Sequence, residues 1–448
     1  NAEISFLKNR LINWDSAKKW FLEPSRSSFR NTDYPQGTWY QFFTEEDGLY
    51  SLSYETLSST IENISDIDPR SVSIFIGSDM GRSRTQNFNQ TILDNLLEIP
   101  IYISGEDDGV FNSDDKIIFY GRGPSGFDFN QNSLIWNQNL YFNKNSCLLL
   151  VPYDNQNRGK RVLQAAQPET GVLIDYGIVS EHLEFDLINL SSSGIEWLDS
   201  PISAGTAKPI ILQISNPKFG ASFKLAARLK GYSVDNNSIA LHQIKILHNS
   251  LNGNQIGQTE NWTGNTFRTI TANDQGFELI DGVNIFYLLN STNDQNSLPY
   301  LDYFQIEYAK KLNFDETFTF TSPIDDQNTR FDFGAQIPDH VSLWDISDPV
   351  NILSLEINES GLCDVKNHID RPNRFIIFNK NEISAISNIY LKENQSFNQL
   401  RNVNIQADYV IIGPETFREE SLELLDIRSP SIYASIESIY DEFSAGNP

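Results

Sequence analysis

The sequence predicts a mainly β protein with two or more β-sandwich or jelly-roll-like domains, followed by the start of an α/β domain. Three observations support this prediction. Apolar and polar residues alternate with a period of two over much of the chain, and turn signals separate the alternating runs. Helical periodicity is scarce: it predicts a short helix at Gln90–Leu97 and a clearer one near the end, where the segment from Ala407 onward combines short apolar runs with helical spacing.

The alternating runs predict antiparallel strands with one buried face. In Phe223–Lys230 the apolar and charged residues mostly alternate, which places one face against a core and the other in water. Phe304–Tyr308 repeats the pattern, and Thr317–Thr321 consists of β-branched and aromatic residues. Two-residue turn signals lie between such runs: Asp47-Gly48, Asn252-Gly253 and Asp281-Gly282.

Changes in composition predict the domain boundaries. The polar stretch Asp154–Pro168 and the polar, acidic stretch Ser322–Thr329 both indicate links between domains. We therefore expect four parts: an N-terminal β-rich domain at 1–165, a jelly-roll-like β-sandwich at 166–322, a β-rich connecting segment at 323–405, and the first β-α-β-α of an α/β domain at 406–448.

The α/β part begins with Ala407–Ile412, a short apolar run typical of a strand that is buried on both faces. Phe417–Arg428 has helical spacing, with acidic residues early and a basic residue late, which matches the helix dipole. Ser431–Ile436 predicts a second strand, and Glu437–Phe443 predicts the start of a second helix. Because a parallel sheet needs several crossovers, we expect this sequence to be an amino-terminal portion of a larger protein.

The charge and the cysteine content exclude several classes of protein. The 448 residues include 33 Lys and Arg against 59 Asp and Glu, which gives a formal net charge of −26 at pH 7. Such a surface repels phosphate backbones, so we expect no nucleic-acid partner. The two cysteines, Cys147 and Cys363, exclude a disulfide framework. Asn1–Arg10 lacks the features of a signal peptide, so the chain is cytosolic or a mature form whose signal has been removed.

The acidic segment Ser104–Asp115 is the best candidate for a ligand site. If Gly109 occupies the sixth position of an EF-hand-like loop, oxygen atoms fall at positions that bind calcium. The candidate metal ligands are Glu106, Asp108, the carbonyl of Val110, Asn112 and Asp115. The alternative is a solvated hairpin turn whose Asp side chains accept hydrogen bonds from nearby amides. The cofactor prediction is therefore Ca²⁺ at this loop and no other cofactor.

Three further patterns favour a structural over a catalytic or binding role. Cys363 and His368 are close in sequence, but a thiol–imidazole dyad is assembled in space, so we expect a small apolar residue and a surface imidazole. Gly121–Gly126 matches a dinucleotide glycine pattern without a following helical stripe, which predicts a plain turn. Core packing is the commoner role of tryptophan, but exposed rings stack on sugars, and the candidates are Trp14, Trp20, Trp39 and Trp136.

A set of short segments occurs in a fixed order along the chain. The earlier segments are Asp47–Tyr54, Ile67–Arg70, Ile74–Gly77, Glu98–Ile101, Gly105–Phe111 and Phe119–Gly121. The later segments are Leu301–Phe304, Leu343–Pro349, Ala407–Ile412 and Ile439–Gly446. In this order they resemble the amino-terminal region of the PorU-type sortases of the type IX secretion system, which are gingipain-like cysteine peptidases of Bacteroidota.

This resemblance implies β-domains that precede a caspase-like peptidase domain in an exported protein at the cell surface, associated with the outer membrane. It implies a sortase that removes the C-terminal signal domain of secreted cargo and attaches the cargo to cell-surface lipopolysaccharide. The implied partners are the outer-membrane barrel and accessory proteins of the attachment complex, and the cargo itself. The family's catalytic Cys and His have no matching positions here. We therefore assign no catalytic residue and expect this portion to scaffold and to dock partners.

Two alternatives belong to other functional classes. A non-enzymatic surface module that binds glycan or protein would explain the sandwich pattern and the aromatic residues, but not the β-α-β-α ending. A propeptide-like inhibitor of a sister peptidase is the second alternative. Thiol-sensitive cleavage or transfer by the full-length product would favour the sortase over the binding module, whereas inhibition of an isolated catalytic domain by this fragment would indicate the inhibitor.

Overall fold

The computed structural model describes residues 35–77, 82, 96–192, 194–235, 237–273, 279–323, 327–335, 337–369, 371–392, 400 and 406–448. The chain divides into two compact units, one formed by residues 1–35 and 396–442 and the other by residues 36–395 and 443–448. Strands predominate among the described residues, which confirms the prediction of a mainly β protein. None of the helices in these ranges is long and apolar enough to cross a bilayer.

The larger unit begins with two sheets that pack face to face. Phe42 and Leu149 of the first sheet meet Leu52 and Phe119 of the second in one apolar core, because alternate residues of a strand point to the same face. In hydrogen-bonded order, the described strands of the first sheet are Tyr390–Leu391, Gly37–Thr44, Asn145–Pro152, Ser73–Ile76 and Leu97–Ile99. Those of the second are Ser384–Ala385, Gly48–Ser53, Lys116–Gly121 and Ile101–Ser104.

The strand Lys116–Gly121 is buried on both faces. Ile117 and Phe119 belong to the core between the two sheets. Ile118 and Tyr120 point the other way, into a second cluster that contains Trp344 and Phe378. This position between two cores explains why the strand is a continuous apolar run and does not alternate.

A long mixed sheet forms the centre of the larger unit. In hydrogen-bonded order its described strands are Leu163–Gln164, Leu353–Leu355, Val341–Asp345, Arg374–Asn379, Phe318–Thr321, Tyr176–Glu184, Tyr300–Lys311, Lys224–Lys230 and Phe267–Asn273. One part of it packs against a sheet of Ala207–Ile214, Gly282–Asn290, Ile244–His248 and Asn254–Gln258. Their shared core contains Phe286 and Phe304, and it continues to Phe331 and Phe375.

Smaller elements complete the larger unit. The short strand groups are Val172–Ile174 with Thr329–Asp332 and Leu362–Val365, Gly126–Asn130 with Ser133–Asn137, and Leu241–His242 with Trp262–Thr263. The described helical elements are an α-helix at Tyr54–Ser58 and 3₁₀ turns at Ile64–Asp66, Pro69–Ser71 and Glu106–Asp108.

The strands expected from alternation are confirmed. Lys224–Lys230 buries Leu225, Ala227 and Leu229 and turns the residues between them outward. Phe304–Tyr308 lies within the strand Tyr300–Lys311. The strand ends agree with the prediction to within a few residues, and the pairing of Tyr300–Lys311 extends beyond the predicted run at both ends. The short helix expected at Gln90–Leu97 lies mostly outside the described residues, and Leu97 begins a strand.

The predicted domain boundaries do not coincide with breaks in the sheets. Strands from 323–405 share the central sheet with strands from 166–322, since Phe318–Thr321 pairs with Arg374–Asn379. Tyr390–Leu391 pairs with Gly37–Thr44 of the first range. The polar stretch Ser322–Thr329 therefore connects strands within one unit, and the division into four domains stays a prediction.

The segment from Tyr409 to Ser444 has the predicted β-α-β-α order. The strand Tyr409–Gly413 pairs in parallel with Ser431–Ser435, and the helix Arg418–Ile427 connects them after a 3₁₀ turn at Glu415–Phe417. The helix Ile436–Ser444 follows. The expected burial of the first strand on both faces is wrong, because Val410 and Ile412 are 51% and 63% exposed. Ser431–Ser435 is the partner strand that the described residues provide, and it covers one edge rather than either face.

Candidate functional site

The predicted calcium loop forms a tight turn between the strands Ile101–Ser104 and Lys116–Gly121. It contains the 3₁₀ turn Glu106–Asp108, flanked by Gly105 and Gly109 with φ of +82° and +77°. Both glycines are needed, because side chains rarely adopt these left-handed conformations. A Cβ atom at Gly105 would also lie 1.7 Å from an oxygen of Asp115.

Each candidate carboxylate in this loop has a partner within the protein. Oε2 of Glu106 accepts a hydrogen bond from Nε of Arg161 at 2.8 Å. Oδ1 of Asp108 accepts one from the amide of Val110 at 2.9 Å, and Oδ2 of Asp115 accepts one from the amide of Asn112 at 2.8 Å. In the ranges that the structure describes, no group of three or more acidic, His or Cys side chains is placed to hold a metal. The calcium site stays a prediction.

The two cysteines lie in apolar cores. Cys147 and Cys363 are 1% and 2% exposed, and burial raises the pKa of each thiol to about 12. At neutral pH neither is a thiolate, which is the nucleophilic form. His368 is exposed. The expectation of a small buried residue and a surface imidazole is therefore confirmed for Cys363 and His368.

The glycine-rich segment forms a turn, and the two described candidate tryptophans lie in different surroundings. The turn at Gly121–Gly126 leads into the strand Gly126–Asn130 and not into a helix, which confirms the plain turn. Trp39 is 3% exposed and packs against Phe75 in the core. Trp136 lines a surface cleft. Trp14 and Trp20 lie outside the described residues.

This cleft, of about 530 Å³, is the candidate functional site. Its floor is the face of the central sheet that points away from the sandwich core. Its walls come from the hairpin Gly126–Asn137 and from the loop that carries Trp197. Along the floor strands, alternate residues point into the cleft: His182 and Glu184, Tyr303 and Gln305, and Arg228.

A β-bulge places Asp302 in the cleft. Tyr303 pairs with Arg228, whereas Leu301 pairs with Leu229, so Asp302 is the extra residue between them. A bulge turns a side chain that strict alternation would direct to the other face. Leu301 and Phe304 stay in the core, and the carboxylate of Asp302 accepts a hydrogen bond from Nη1 of Arg228 at 2.9 Å.

The acidic groups of the cleft are only partly neutralised. Burial raises the pKa of Asp302 to about 6, although Arg228 lowers it, and Glu184 and Asp186 raise it further. Burial and the charge of Glu184 also raise the pKa of Asp186. Four carboxylates line the cleft with the guanidinium of Arg228, and one of them, that of Glu196, is paired with Lys230: Glu184, Asp186, Glu196 and Asp302. The excess negative charge disfavours anionic ligands.

Aromatic rings form the walls. Trp136 stacks on His182 with a centroid distance of 4.3 Å and an interplanar angle of 9°. The His182 ring shares a hydrogen bond with Glu184 at 3.0 Å between Nε2 and Oε2. Trp197 is 40% exposed, and its indole nitrogen donates to the carbonyl of Gly194. Rings that pack on apolar faces beside carboxylates and a guanidinium suit a neutral sugar, which presents apolar faces and hydroxyl groups.

Sequence reasoning identified Trp136 but missed its neighbours. His182 and Trp197 were not distinguishable from core or surface residues, because the cleft is formed by strands distant in sequence. Asp302 had a local signal. In Leu301–Phe304 a carboxylate interrupts an apolar strand and breaks its alternation, which is a feature of a bulge.

Comparison with known proteins reveals similarity in structure. No family model matches the sequence, and no curated protein matches it. The crystal structure of dimeric latent PorU from Porphyromonas gingivalis matches 92% of this chain with a TM-score of 0.73 and 15% identity.

Two further solved structures match with low TM-scores. A CBM35 from Cellvibrio japonicus matches 32% of this chain and 95% of its own, at 18% identity and a TM-score of 0.18. An isomalto-dextranase from Arthrobacter globiformis, in complex with panose, matches 61% of this chain and 35% of its own, at 8% identity and a TM-score of 0.20. Both scores are too low to bear on the fold or on the cleft. The PorU match covers 38% of that chain, and over this span the present protein has a PorU-like, mainly β fold.

Proposed function

We propose that this chain is a non-catalytic portion of a PorU-type sortase of the type IX secretion system, located at the cell surface. The observation that carries the proposal is the match to PorU over 92% of the chain at a TM-score of 0.73. In this proposal the portion scaffolds a peptidase and docks the outer-membrane barrel and accessory proteins. The whole protein would remove the C-terminal signal domain of cargo and attach the cargo to lipopolysaccharide.

Two further features support a scaffolding role. Both thiols are buried and protonated, so the described residues offer no cysteine nucleophile. The larger unit is a continuous set of sheets in which residues distant in sequence pair, such as Gly37–Thr44 with Tyr390–Leu391. Such a unit is rigid enough to hold partner surfaces in a fixed geometry.

Affinity purification tests this proposal. The chain, carrying a tag and an export signal, is expressed in the bacterium that encodes it, cross-linked at the cell surface and purified for mass spectrometry. We expect the barrel and accessory proteins of the attachment complex to be enriched over an unrelated exported β-sandwich with the same tag. Equal recovery of these proteins with both baits would contradict the docking role.

A second candidate function is the binding of a neutral glycan, which the cleft at Trp136 and Trp197 favours. Its acidic groups and aromatic walls match the hydroxyl groups and apolar faces of a sugar. This function is compatible with a scaffold and with a surface module that has no peptidase partner.

Glycan arrays test the second candidate. Wild-type chain is compared with Trp197→Ala and with Tyr153→Ala, which removes an exposed aromatic ring outside the cleft. We expect a neutral glycan to bind the wild type and the Tyr153 variant, and to lose about tenfold in affinity with Trp197→Ala. Binding that is equal in both variants would exclude the cleft as the site.

A further inference from the structure

A second cavity of the larger unit, of about 490 Å³, differs in chemistry from the cleft. It is lined by the start of the hairpin Gly126–Asn137, the end of the strand Lys116–Gly121 and two loops of the central sheet. The charged lining residues are Arg82, Arg122, Arg371 and Arg374 against Asp47, Asp128 and Asp348. The cavity thus carries one excess positive charge in a chain whose net charge is −26.

Two of the four arginines are paired with carboxylates. Arg82 donates to Asp47 at 2.7 Å and to Asp128 at 2.9 Å. Arg122 also donates to Asp128. Although burial opposes it, the charges of Arg122 and Arg82 hold the pKa of Asp128 below its ordinary value. These ion pairs hold Arg82, Arg122 and Asp128 in place in the wall of the cavity.

The other two arginines have, among the described residues, no carboxylate that is not already paired with another arginine. Nη1 of Arg374 donates to the carbonyl of Phe127 at 2.9 Å and lies 3.8 Å from Asp47, which Arg82 already engages. Nε of Arg374 is buried and has no acceptor in the part of the chain that the structure describes. Arg371 donates to the carbonyl of Ser347, and its guanidinium lies over the ring of Phe129.

Asp348, the third acidic residue that lines the cavity, accepts hydrogen bonds within its own turn. Oδ1 of Asp348 accepts from the amide of Val350 at 3.1 Å, and Oδ2 accepts from Nδ2 of Asn351 at 2.7 Å. Both carboxylate oxygens of Asp348 are thus engaged within its turn, and the described contacts of Arg371 and Arg374 are with the carbonyl groups of Ser347 and Phe127 and with Asp47.

Tyr120 provides an independent observation. Its side chain lines the cavity, it is 3% exposed, and its hydroxyl has no hydrogen-bond partner among the described residues. Burial raises the pKa of the Tyr120 hydroxyl to about 12, although the charge of Arg374 lowers it. At neutral pH the hydroxyl is therefore a donor. A buried polar group without a partner costs about 1–3 kcal/mol, which a ligand acceptor would remove.

We propose that this cavity binds the carboxylate group of an organic ligand. Nε of Arg374 and the hydroxyl of Tyr120 donate to its oxygens, and Arg371 adds charge at the mouth. Phe127 and Phe129 pack against the apolar part of the ligand. A carboxylate neutralises the single excess charge, whereas a phosphate monoester dianion would exceed it. This proposal goes beyond the sortase assignment and does not depend on it.

Calorimetric titration of the 448-residue chain with sodium benzoate tests the proposal. Benzyl alcohol and inorganic phosphate at the same ionic strength serve as comparison ligands. We expect saturable binding of benzoate, weaker binding of phosphate and none of the alcohol. Saturation with phosphate at lower concentrations than benzoate, or no saturable binding of benzoate, would overturn the proposal.

Variants assign the donors. Tyr120→Phe removes a hydroxyl that has no hydrogen-bond partner within the described ranges, so the unliganded variant should unfold at the wild-type temperature or above it. It should bind benzoate about fivefold more weakly, and Arg374→Gln about tenfold more weakly. The control is Arg330→Gln, which removes an arginine paired with Asp364 outside the cavity and should bind like the wild type. Wild-type affinity in the Tyr120 variant would contradict the proposal even if Arg374→Gln fails to fold.

Discussion

Asp302 shows how one residue in a bulge changes the chemistry of a strand. The neighbouring Leu301 and Phe304 are in the core, while Asp302 is in the cleft beside Arg228. Its carboxylate is buried enough for its pKa to be raised to about 6, even with a guanidinium at 2.9 Å. The folded protein therefore tolerates the charged form of Asp302 less well than the unfolded chain does.

The pH dependence of stability tests this account of Asp302. Between its ordinary pKa of 3.8 and its folded value of about 6, the folded state binds more protons than the unfolded state. The contribution of Asp302 to stability therefore falls as pH rises through this window. Asp302→Asn stays uncharged, so its stability relative to the wild type should rise by about 1 kcal/mol between pH 4 and pH 7.5, after allowance for solvent screening.

Urea unfolding at both pH values measures this change, and Asp364→Asn is the matched control. Hydrogen bonding to Arg330 lowers the pKa of Asp364, so its contribution is present at neutral pH and is lost as pH falls. The two substitutions should therefore act in opposite directions at neutral pH. A loss of stability in Asp302→Asn at pH 7.5 relative to pH 4 would contradict the account.

Single residues were predictable where their surroundings are local. Cys363 and His368 were expected to be unrelated because a thiol–imidazole dyad is assembled in space, and the plain turn at Gly121–Gly126 was expected because no helical stripe follows it. Tyr120 was not predictable as a cavity residue. Its burial depends on Trp344 and Phe378, which belong to strands more than two hundred residues later.

At the scale of elements, the acidic loop Ser104–Asp115 combines a turn with a concentration of charge. Its carboxylates accept hydrogen bonds from the loop's own amides and from Arg161. These contacts account for the shape of the loop without a metal. The calcium prediction therefore concerns a further property of the loop, the binding of a cation, and not its shape.

Thermal unfolding with Asp115 variants separates the two roles. Asp115 is 5% exposed and accepts from the amide of Asn112. Asp115→Ala should lose about 1–2 kcal/mol of stability, with or without calcium, because that amide loses its acceptor. The exposed neighbour Asp114 provides the control as Asp114→Ala. The calcium prediction adds a rise in unfolding temperature when calcium replaces a chelator, in the wild type and not in Asp115→Ala; equal temperatures in the wild type would contradict it.

Strand type was predictable at this scale, whereas strand order was not. Alternation identified Lys224–Lys230 because one face meets a core and the other does not. It contained no information that this strand lies between Tyr300–Lys311 and Phe267–Asn273. Pairing is decided by non-local packing, and the apolar pattern of many strands is interchangeable.

At the scale of the whole molecule, the mainly β class followed from composition and period, but the organisation of the sheets did not. Phe318–Thr321 and Arg374–Asn379 pair across the predicted boundary at 322. A polar stretch of sequence has the same composition whether it joins two domains or two strands of one sheet. The short segments that occur in a fixed order were more informative about the fold than composition was. They pointed to the PorU-like fold that the structural match shows.

If this PorU-like portion scaffolds a sortase, as we propose, its removal should abolish sortase function. The direct measurement uses the bacterium that encodes the chain, after codons 36–395 are deleted in frame from the only copy of the gene. The mass of the secreted cargo is then determined. The account predicts that cargo keeps its C-terminal signal domain and is absent from the cell surface, as in a strain without the gene. Cargo that is trimmed and displayed normally in the deletion strain would contradict it.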